Sequence, residues 1–289
     1  LPSFSFNVTS PDETKRALFN DVAFREAMSL AINRDELNEI AFFGLGTPQT
    51  YLGFSPVPDF AAEFVDAGTG YDPDTAMAAL DGLGMVDADG DGFRDLPNGE
   101  KITLNLQFTT QGIGGEVVEL VAQYWSDVGV ATTVKEVTPD EYRAAQSANE
   151  LDVQIWQQGT PVAIALGSSE RFVPPYGSYF DHRVGMGWAE WIDSEGASGI
   201  EPPQYAMDMI ADIDAFQQAV PGSAEAAEIG KRIAKNFADS YLFIGTVNAP
   251  APIYVRNGLK NVPEFQTWSY EYYRTYPYRP TQWFLAEDN

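Results

Sequence analysis

The sequence FNDVAFREAMSLAINRDELNEIAFFGLGTP, residues 19–48, is the stretch that decides the fold. Its apolar residues recur at helical spacing, which predicts one long amphipathic helix with a single buried stripe. The predicted stripe consists of Val22, Ala23, Ala27, Leu30, Ala31, Leu37 and Ile40. Asn20 or Asp21 is a suitable N-cap, and Gly44 and Gly46 are expected to end the helix.

Two arginines, Arg25 and Arg34, interrupt this stripe, and each stands beside an acidic residue, Glu26 or Asp35. Charged neighbours of this kind are typical of a solvated helix face with local ion pairs. We therefore expect both arginines to be structural and to lie on the surface of a helix that anchors a domain core.

The same stretch resembles the signature of the family 5 extracellular solute-binding proteins, the oligopeptide- and dipeptide-binding receptors of ATP-driven importers. The matching residues are Phe19, Asp21, Arg25, Ala27, Ala31, Ile32, Asn33, Arg34, Gly44, Gly46 and Pro48. Asn33 departs from the family, which usually has Asp at that place. The segment YDPDTAMAALDGLG, residues 71–84, also resembles a family helix that opens with Tyr-Asp-Pro.

Composition and charge exclude several classes of function. The 289 residues include 17 basic and 42 acidic residues, which gives a net charge of −25. That charge argues against nucleic acid and anionic membrane surfaces as partners, because both attract Lys and Arg. The chain has no cysteine, which excludes disulfides, Cys-ligated zinc and thiol catalysis. No apolar run is long enough to span a bilayer, and the first residues lack the features of a signal peptide.

Strands and helices alternate through the middle of the chain. Alternating apolar residues predict strands at 102–108, 130–137 and 151–156, with helical patterns between them. Thr138 and Glu141 form a predicted capping box at the start of one of these helices. This order predicts an α/β fold with a parallel or mixed sheet flanked by helices.

The resemblance implies that this α/β chain is a periplasmic-binding-protein type II-like lobe. Family members carry the helical signature in their second lobe, well past the middle of the chain. Residues 1–265 would then be the second, C-terminal lobe, and residues 266–289 a C-terminal tail that returns towards a missing first lobe. The leader would also have been removed, and the protein is expected to be periplasmic or extracellular.

Residues 87–95, DADGDGFRD, have the D-x-D-x-D-G spacing of an EF-hand-type calcium loop. Alternating carboxylates, with a Gly at the sharp turn, supply the hard oxygen ligands that calcium prefers. The predicted metal ligands are Asp87, Asp89, Asp91, Phe93 and Asp95. Asn98 stands where the usual bidentate Glu would be, and a strand rather than a helix follows. The alternative is an acidic, Gly-rich turn that holds no metal.

An aromatic and weakly periodic region, residues 157–203, is the predicted ligand-facing part. Flat rings stack on sugar faces or hold peptide side chains, although any one of them could equally pack in the core. The predicted ligand-binding residues are Trp156, Gln157, Gln158, Tyr176, Tyr179, Trp188 and Trp191. Peptide-binding relatives place an acid just after the strand that corresponds to 151–156, where it pairs with the peptide amino terminus. Residues 157–161, QQGTP, contain no acid, which favours a sugar ligand, although Asp181 or Glu190 could supply one.

The resemblance therefore predicts the substrate-binding component of an ABC importer. Such a protein captures oligosaccharides or short peptides by hinge closure and hands them to a membrane permease. We expect a monomer that performs no catalysis and uses no cofactor other than the candidate calcium. The alternative is an acidic hydrolase that uses two carboxylates. No motif favours it, since His182 is the only histidine and no nucleophile elbow, P-loop or dinucleotide fingerprint occurs.

Overall fold

The computed structural model describes residues 1–157, 159, 162–165, 185–249, 254–264 and 278–286. The chain forms two compact units, Leu1–Asn248 and Ala249–Asn289. The described part of the second unit contains an antiparallel strand pair and a 3₁₀ helix at Pro280–Gln282. The predicted division into a second lobe and a returning tail concerns a longer protein and stays a prediction.

Short strands alternate with helices along the chain. The helices are α1 (Glu13–Asn20), α2 (Val22–Leu30), α3 (Arg34–Phe42), α4 (Pro73–Gly82), α5 (Gly115–Asp127), α6 (Pro139–Ser147), α7 (Val162–Ala165), α8 (Met186–Asp193), α9 (Gln204–Gln218) and α10 (Ala224–Ser240), with a 3₁₀ helix at Asp59–Phe64. The strands are β1 (Pro2–Phe6), β2 (Thr47–Pro48), β3 (Leu104–Phe108), β4 (Thr132–Glu136), β5 (Val153–Gln157), β6 (Ile244–Gly245) and β7 (Val247–Asn248), and the second unit adds β8 (Leu259–Lys260) and β9 (Phe284–Leu285).

The strand β1 lies in the middle of a three-stranded antiparallel sheet with the order β5–β1–β6. Ser3 of β1 pairs with Trp156 of β5 on one side and with Gly245 of β6 on the other. The strands β3 and β4 form a parallel pair, and β3 lies beside β5. Parallel and antiparallel pairs therefore occur together, which confirms the predicted mixed α/β architecture.

Aromatic rings of β1 form the centre of the larger core. The Phe4 and Phe6 ring centroids lie 5.6 and 5.4 Å from that of Trp125 in α5. The Trp125 indole N–H donates to the Met28 carbonyl of α2 over 2.9 Å. All four side chains are fully buried, and burying a large apolar side chain stabilises a protein by about 1.5–3 kcal/mol. The helices α2 and α5 are thus both anchored to the central strand.

Residues 19–48 contain two helices, α2 and α3, where the sequence pattern predicts one. The break lies at residues 31–33 because Asn33 caps the second helix, its side chain accepting a hydrogen bond from the Glu36 amide over 3.1 Å. Asp21 caps α2 as predicted, accepting from the Ala23 amide over 2.9 Å. Short polar side chains compete for backbone N–H groups, so they begin helices more readily than they continue them.

The predicted buried stripe is correct only in part. Ala27, Ala31 and Leu37 are buried, whereas Val22 is 45% exposed and Ile40 is 52% exposed. The turn between the two helices changes the direction of the chain. A single helical period therefore cannot assign the buried face of both segments.

Arg25 and Arg34 are buried, at 1% and 2% exposure, so the prediction that they lie on a solvated face is wrong. Arg25 donates from Nε to the Ser240 carbonyl over 2.8 Å and from Nη1 to the Phe19 carbonyl over 2.6 Å. Arg34 likewise donates to backbone carbonyls and to a serine hydroxyl. Both residues are structural, as expected, but they satisfy carbonyls inside the fold instead of pairing with adjacent acids.

Candidate ligand-binding site

The carboxyl ends of β3, β4 and β5 lie at one edge of the first unit. The strands β3 and β4 run parallel. The strand β5 runs the same way, since Asp152 before it accepts from the Asn105 amide near the start of β3, and Gly112 beyond β3 lies against the Trp156 ring. Ligand sites in open α/β sheets form outside the carboxyl ends of the strands, so this edge is the candidate location of a ligand site.

A groove with a volume of about 740 Å³ opens at this edge. Its lining residues are Thr109, Thr110, Gln111, Glu136, Val137, Thr138, Pro139 and Glu141. The Thr110 hydroxyl donates to Glu136 Oε1 over 3.3 Å, and Arg143 Nη2 donates to Gln111 Oε1 over 2.9 Å. Hydroxyls, an amide and two carboxylates therefore line the groove, and such groups orient polar ligands by hydrogen bonds.

Sequence reasoning did not identify the residues of this groove. A partial signal was present, because the polar residues 109–111 and 138–141 follow two predicted strands. Their convergence depends on the parallel pairing of β3 with β4, which brings both strand ends to one edge. That pairing is a tertiary feature and is not determined by either segment alone.

The N-terminus of α6 forms one wall of the groove. Thr138 Oγ1 accepts from the Glu141 amide over 3.3 Å, and the Glu141 carboxylate accepts from the Thr138 amide over 2.9 Å. These two bonds confirm the predicted capping box. Hydrogen bonds from the Thr138 amide and hydroxyl lower the pKa of Glu141, so its carboxylate is ionised at neutral pH.

Replacing Thr138 by alanine is expected to lower the free energy of unfolding by about 1 kcal/mol, because α6 loses its N-cap acceptor. Urea unfolding followed by circular dichroism measures this change. Thr138→Ser is the matched control, since it keeps the hydroxyl and should lose only a few tenths of a kcal/mol at most. Equal losses in the two variants would contradict a capping role for the hydroxyl.

Trp156 lies half-buried at the same edge, near the end of β5. Its ring stacks on Tyr142 of α6, with centroids 5.8 Å apart and ring planes at 28°. The Tyr142 hydroxyl donates to the Ile155 carbonyl over 3.0 Å and accepts from the Ile155 amide over 2.9 Å, which fixes the tyrosine. A Cβ added at Gly112 would lie 2.5 Å from Trp156 Cε3, so glycine is needed to leave room for the indole. Trp156 is therefore held in one orientation.

Trp188, another predicted ligand-binding residue, packs inside the first unit in the structure. It is 1% exposed and meets the Tyr205 ring edge-on, with centroids 6.1 Å apart. It belongs to the smaller core, which includes Phe237 and Ile213 of the helical pair α9 and α10. Sequence patterns do not distinguish an aromatic that packs inside from one that meets a ligand.

The other predicted ligand-binding residues are distributed differently. Gln157 is exposed and lies opposite Pro2 at the same edge as Trp156. Trp191 is half-buried on α8, where its ring lies beside Gly196. Glu190, an alternative source of an acid, lines a different cavity. Gln158, Tyr176, Tyr179, Asp181 and His182 lie outside the described residues.

The acidic loop joins α4 to β3, and its carboxylates converge. Single oxygens of Asp87, Asp89 and Asp91 all lie within 4.8 Å of one another. Asp95 is 4% exposed, and Phe93 is 38% exposed. Asp87 accepts hydrogen bonds from the backbone amides of residues 90 and 92, and these bonds define the turn of the loop. Calcium binding by these residues stays a prediction.

Two comparisons with known sequences extend these observations. The sequence model of the bacterial extracellular solute-binding proteins, family 5 (middle region), matches residues 2–179. A probable ABC transporter-binding protein of Deinococcus radiodurans is 34% identical over 102 residues, which are 35% of this chain and 17% of that protein. Within the described residues, no helix is both long enough and apolar enough to cross a membrane.

Solved structures show the same fold. The oligopeptide-binding protein OppA is 27% identical, with a TM-score of 0.76 over 99% of this chain and 47% of its own. A periplasmic oligopeptide-binding protein of Thermotoga maritima, solved with mannohexaose, is 20% identical, with a TM-score of 0.65 over 91% of this chain and 46% of its own. This chain therefore spans about half the length of those structures, and the predicted type II-like fold is confirmed. Because the family model covers more than half of the chain, this protein belongs to family 5 of the bacterial extracellular solute-binding proteins.

Proposed function

We propose that this chain is a ligand-contacting lobe of the substrate-binding component of an ABC-type importer. The groove at the carboxyl ends of β3 and β4 would form one wall of the ligand site. The observation that carries the proposal is the convergence of hydrogen-bonding side chains in this groove with an oriented tryptophan, Trp156, at the same edge. A second lobe would supply the opposite wall, and ligand would favour the closed arrangement of the two lobes.

The ligand in this proposal is an oligosaccharide or a short peptide. OppA is described as oligopeptide-binding, and the Thermotoga maritima protein was solved with mannohexaose. The hydroxyls and amides of this edge suit sugar hydroxyls as well as peptide bonds. The exposed carboxylate of Glu136 is an acid that could pair with a peptide ammonium, although it is the last residue of β4 and does not follow β5. Substitution of Glu136 therefore distinguishes the two ligand classes.

The proposal includes partners and location. The protein would act outside the cytoplasmic membrane as a monomer and deliver its ligand to a membrane permease. It would release the ligand chemically unchanged, in keeping with a family of binding proteins. A carboxylate-dependent hydrolase is the competing function, and it differs in one observable, the turnover of the ligand.

The test is a ligand screen of the whole protein by thermal shift, using neutral oligosaccharides of two to six units and peptides of two to nine residues. We expect one class to raise the melting temperature saturably, because a ligand at about 100 times its Kd stabilises the folded state by about 2.7 kcal/mol. Mass spectrometry of the recovered ligand checks its integrity. Hydrolysis of the ligand would contradict the proposal, and so would a screen in which no compound of either class binds.

Glu136→Gln is expected to weaken peptide binding by about tenfold or more and to leave the binding of neutral sugars within about twofold. The reason is that a hydrogen bond to a charged group contributes about 1.5–3 kcal/mol, and only the peptide carries an ammonium group. Calorimetry with the best ligand of each class measures both constants. Glu225→Gln, which changes an exposed acid at the start of α10, is the control. An unchanged peptide Kd would show that Glu136 does not meet the amino terminus.

A further inference from the structure

The acidic loop contains its own cation. The Lys101 ammonium lies 2.7 Å from Asp89 Oδ2, 2.8 Å from Asp91 Oδ2 and 3.1 Å from Asp95 Oδ1. The ammonium group donates a hydrogen bond to Asp91 and makes ionic contacts with all three carboxylates.

Backbone pairing fixes the lysine at this position. Asp95 forms β-bridges with Val86 on one side and with Lys101 on the other. The β-bridge therefore holds the backbone of Lys101 opposite Asp95, within reach of the loop carboxylates. The loop and its cation are parts of one folded segment, residues 86–101.

Asp95 shows why a cation is needed in this segment. The side chain is 5% exposed, and its Oδ2 accepts from the Ala88 amide over 3.1 Å. Within the described residues, Oδ1 is shielded from solvent and has no hydrogen-bond partner apart from the ionic contact with Lys101. A buried carboxylate without a counter-charge is costly, so the ammonium group compensates a charge that the fold cannot leave alone.

The remaining ligands of a calcium site are also committed elsewhere. Calcium requires six to eight oxygens at about 2.3–2.6 Å, usually with a bidentate Glu at the twelfth place of the loop. Asn98 occupies that place, and its side chain accepts from the Glu100 amide over 3.0 Å and donates to the Glu100 carboxylate over 2.9 Å. The loop thus offers fewer free oxygens than its sequence spacing indicates.

We propose that the Lys101 ammonium takes the place of the metal ion in this D-x-D-x-D-G loop. The loop is closed without calcium, and calcium gains access to the carboxylates only when the lysine is removed. The sequence pattern of a calcium loop would then be a scaffold stabilised by an internal ion cluster. This proposal does not depend on the proposed function of the groove.

The test is calorimetric titration of the whole protein with calcium chloride. Wild-type protein is expected to give no binding heat up to about 1 mM calcium. Lys101→Met is expected to bind calcium at least about tenfold more tightly than wild type, with a Kd in the 10⁻⁴–10⁻³ M range of extracellular calcium modules or below it. Lys101→Met is expected to have a lower melting temperature than wild type, and added calcium should raise it again. Lys235→Met removes a lysine that pairs with Asp239 on α10, and it should gain no calcium binding.

Two results would overturn the proposal. One is a wild-type calcium Kd equal to or lower than that of Lys101→Met, because the lysine would then not exclude the ion. The other is a folded Lys101→Met protein that gains no affinity for calcium. If Lys101→Met folds only when calcium is present, the calcium concentration at the midpoint of folding, measured by circular dichroism, replaces the calorimetric Kd. Lys101→Gln provides a second variant for the same comparison.

Discussion

Replacing Arg34 by alanine is expected to lower the free energy of unfolding by about 3–4 kcal/mol, because hydrogen bonds to a charged group are lost inside the core. The guanidinium donates to the carbonyls of Ser29, Thr69 and Gly245 over 2.9, 3.2 and 2.9 Å. These acceptors belong to α2, to the loop before α4 and to β6, so one side chain joins three segments. Burial lowers the pKa of Arg34 to about 10, which still leaves it charged at neutral pH.

Urea unfolding of the variant measures the effect of Arg34, and Arg232→Ala is the matched control. Arg232 is 55% exposed and pairs with Asp212 on the surface of the α9–α10 pair. Exposed ion pairs contribute about 0–1 kcal/mol, so this control should lose little. Arg34→Lys keeps the charge but not the planar fork of donors, and it should fall between wild type and alanine. Similar losses in Arg34→Ala and Arg232→Ala would show that the buried contacts add nothing.

Replacing Trp156 by alanine is expected to raise the ligand Kd by about tenfold to 100-fold, which corresponds to about 1.4–2.8 kcal/mol of binding free energy. The indole is already held by Tyr142 and by the space left at Gly112, so little entropy is lost when a ligand meets it. Calorimetry with the best compound from the oligosaccharide and peptide screen measures the change. The melting temperature without ligand checks that the variant is folded.

Gly112→Ala tests the same arrangement without removing the tryptophan. The added methyl group would meet the indole at 2.5 Å, so the ring must move. We expect this variant to bind the ligand with a higher Kd and to show a shifted tryptophan fluorescence maximum. If Trp156→Ala folds normally and binds the ligand as tightly as wild type, the ligand does not contact this edge of the sheet.

Local sequence was sufficient for the features that depend on neighbouring residues. The Asp21 cap, the Thr138–Glu141 capping box and the strand–helix alternation are all confirmed, because each rests on contacts within a few residues of chain. The family assignment is also confirmed, by a family model that matches residues 2–179. The prediction of one long helix across residues 19–48 was wrong because apolar periodicity does not show the break that Asn33 introduces.

The candidate site could be predicted only in outline. Trp156 and Gln157 do lie at the carboxyl edge, where the end of a predicted strand placed them. Trp188 looked the same in sequence, yet it packs against Tyr205 because α8 lies on the smaller core. The groove residues were missed since they become neighbours only when β3 and β4 pair in parallel.

By itself, the sequence determined the class of fold, the alternation of strands and helices in the middle of the chain and the family, because helical period, strand alternation and capping residues act over short distances along the chain. Tertiary structure decided the role of each charged and aromatic side chain. The carbonyls that bind Arg34 stand as far away as residue 245, and a β-bridge to Asp95 brings Lys101 to three carboxylates. A charge is stabilised by the groups that surround it in space. Sequence patterns alone therefore predicted a solvated position for Arg34 and a metal site for the acidic loop, whereas the folded chain supplies other partners for both.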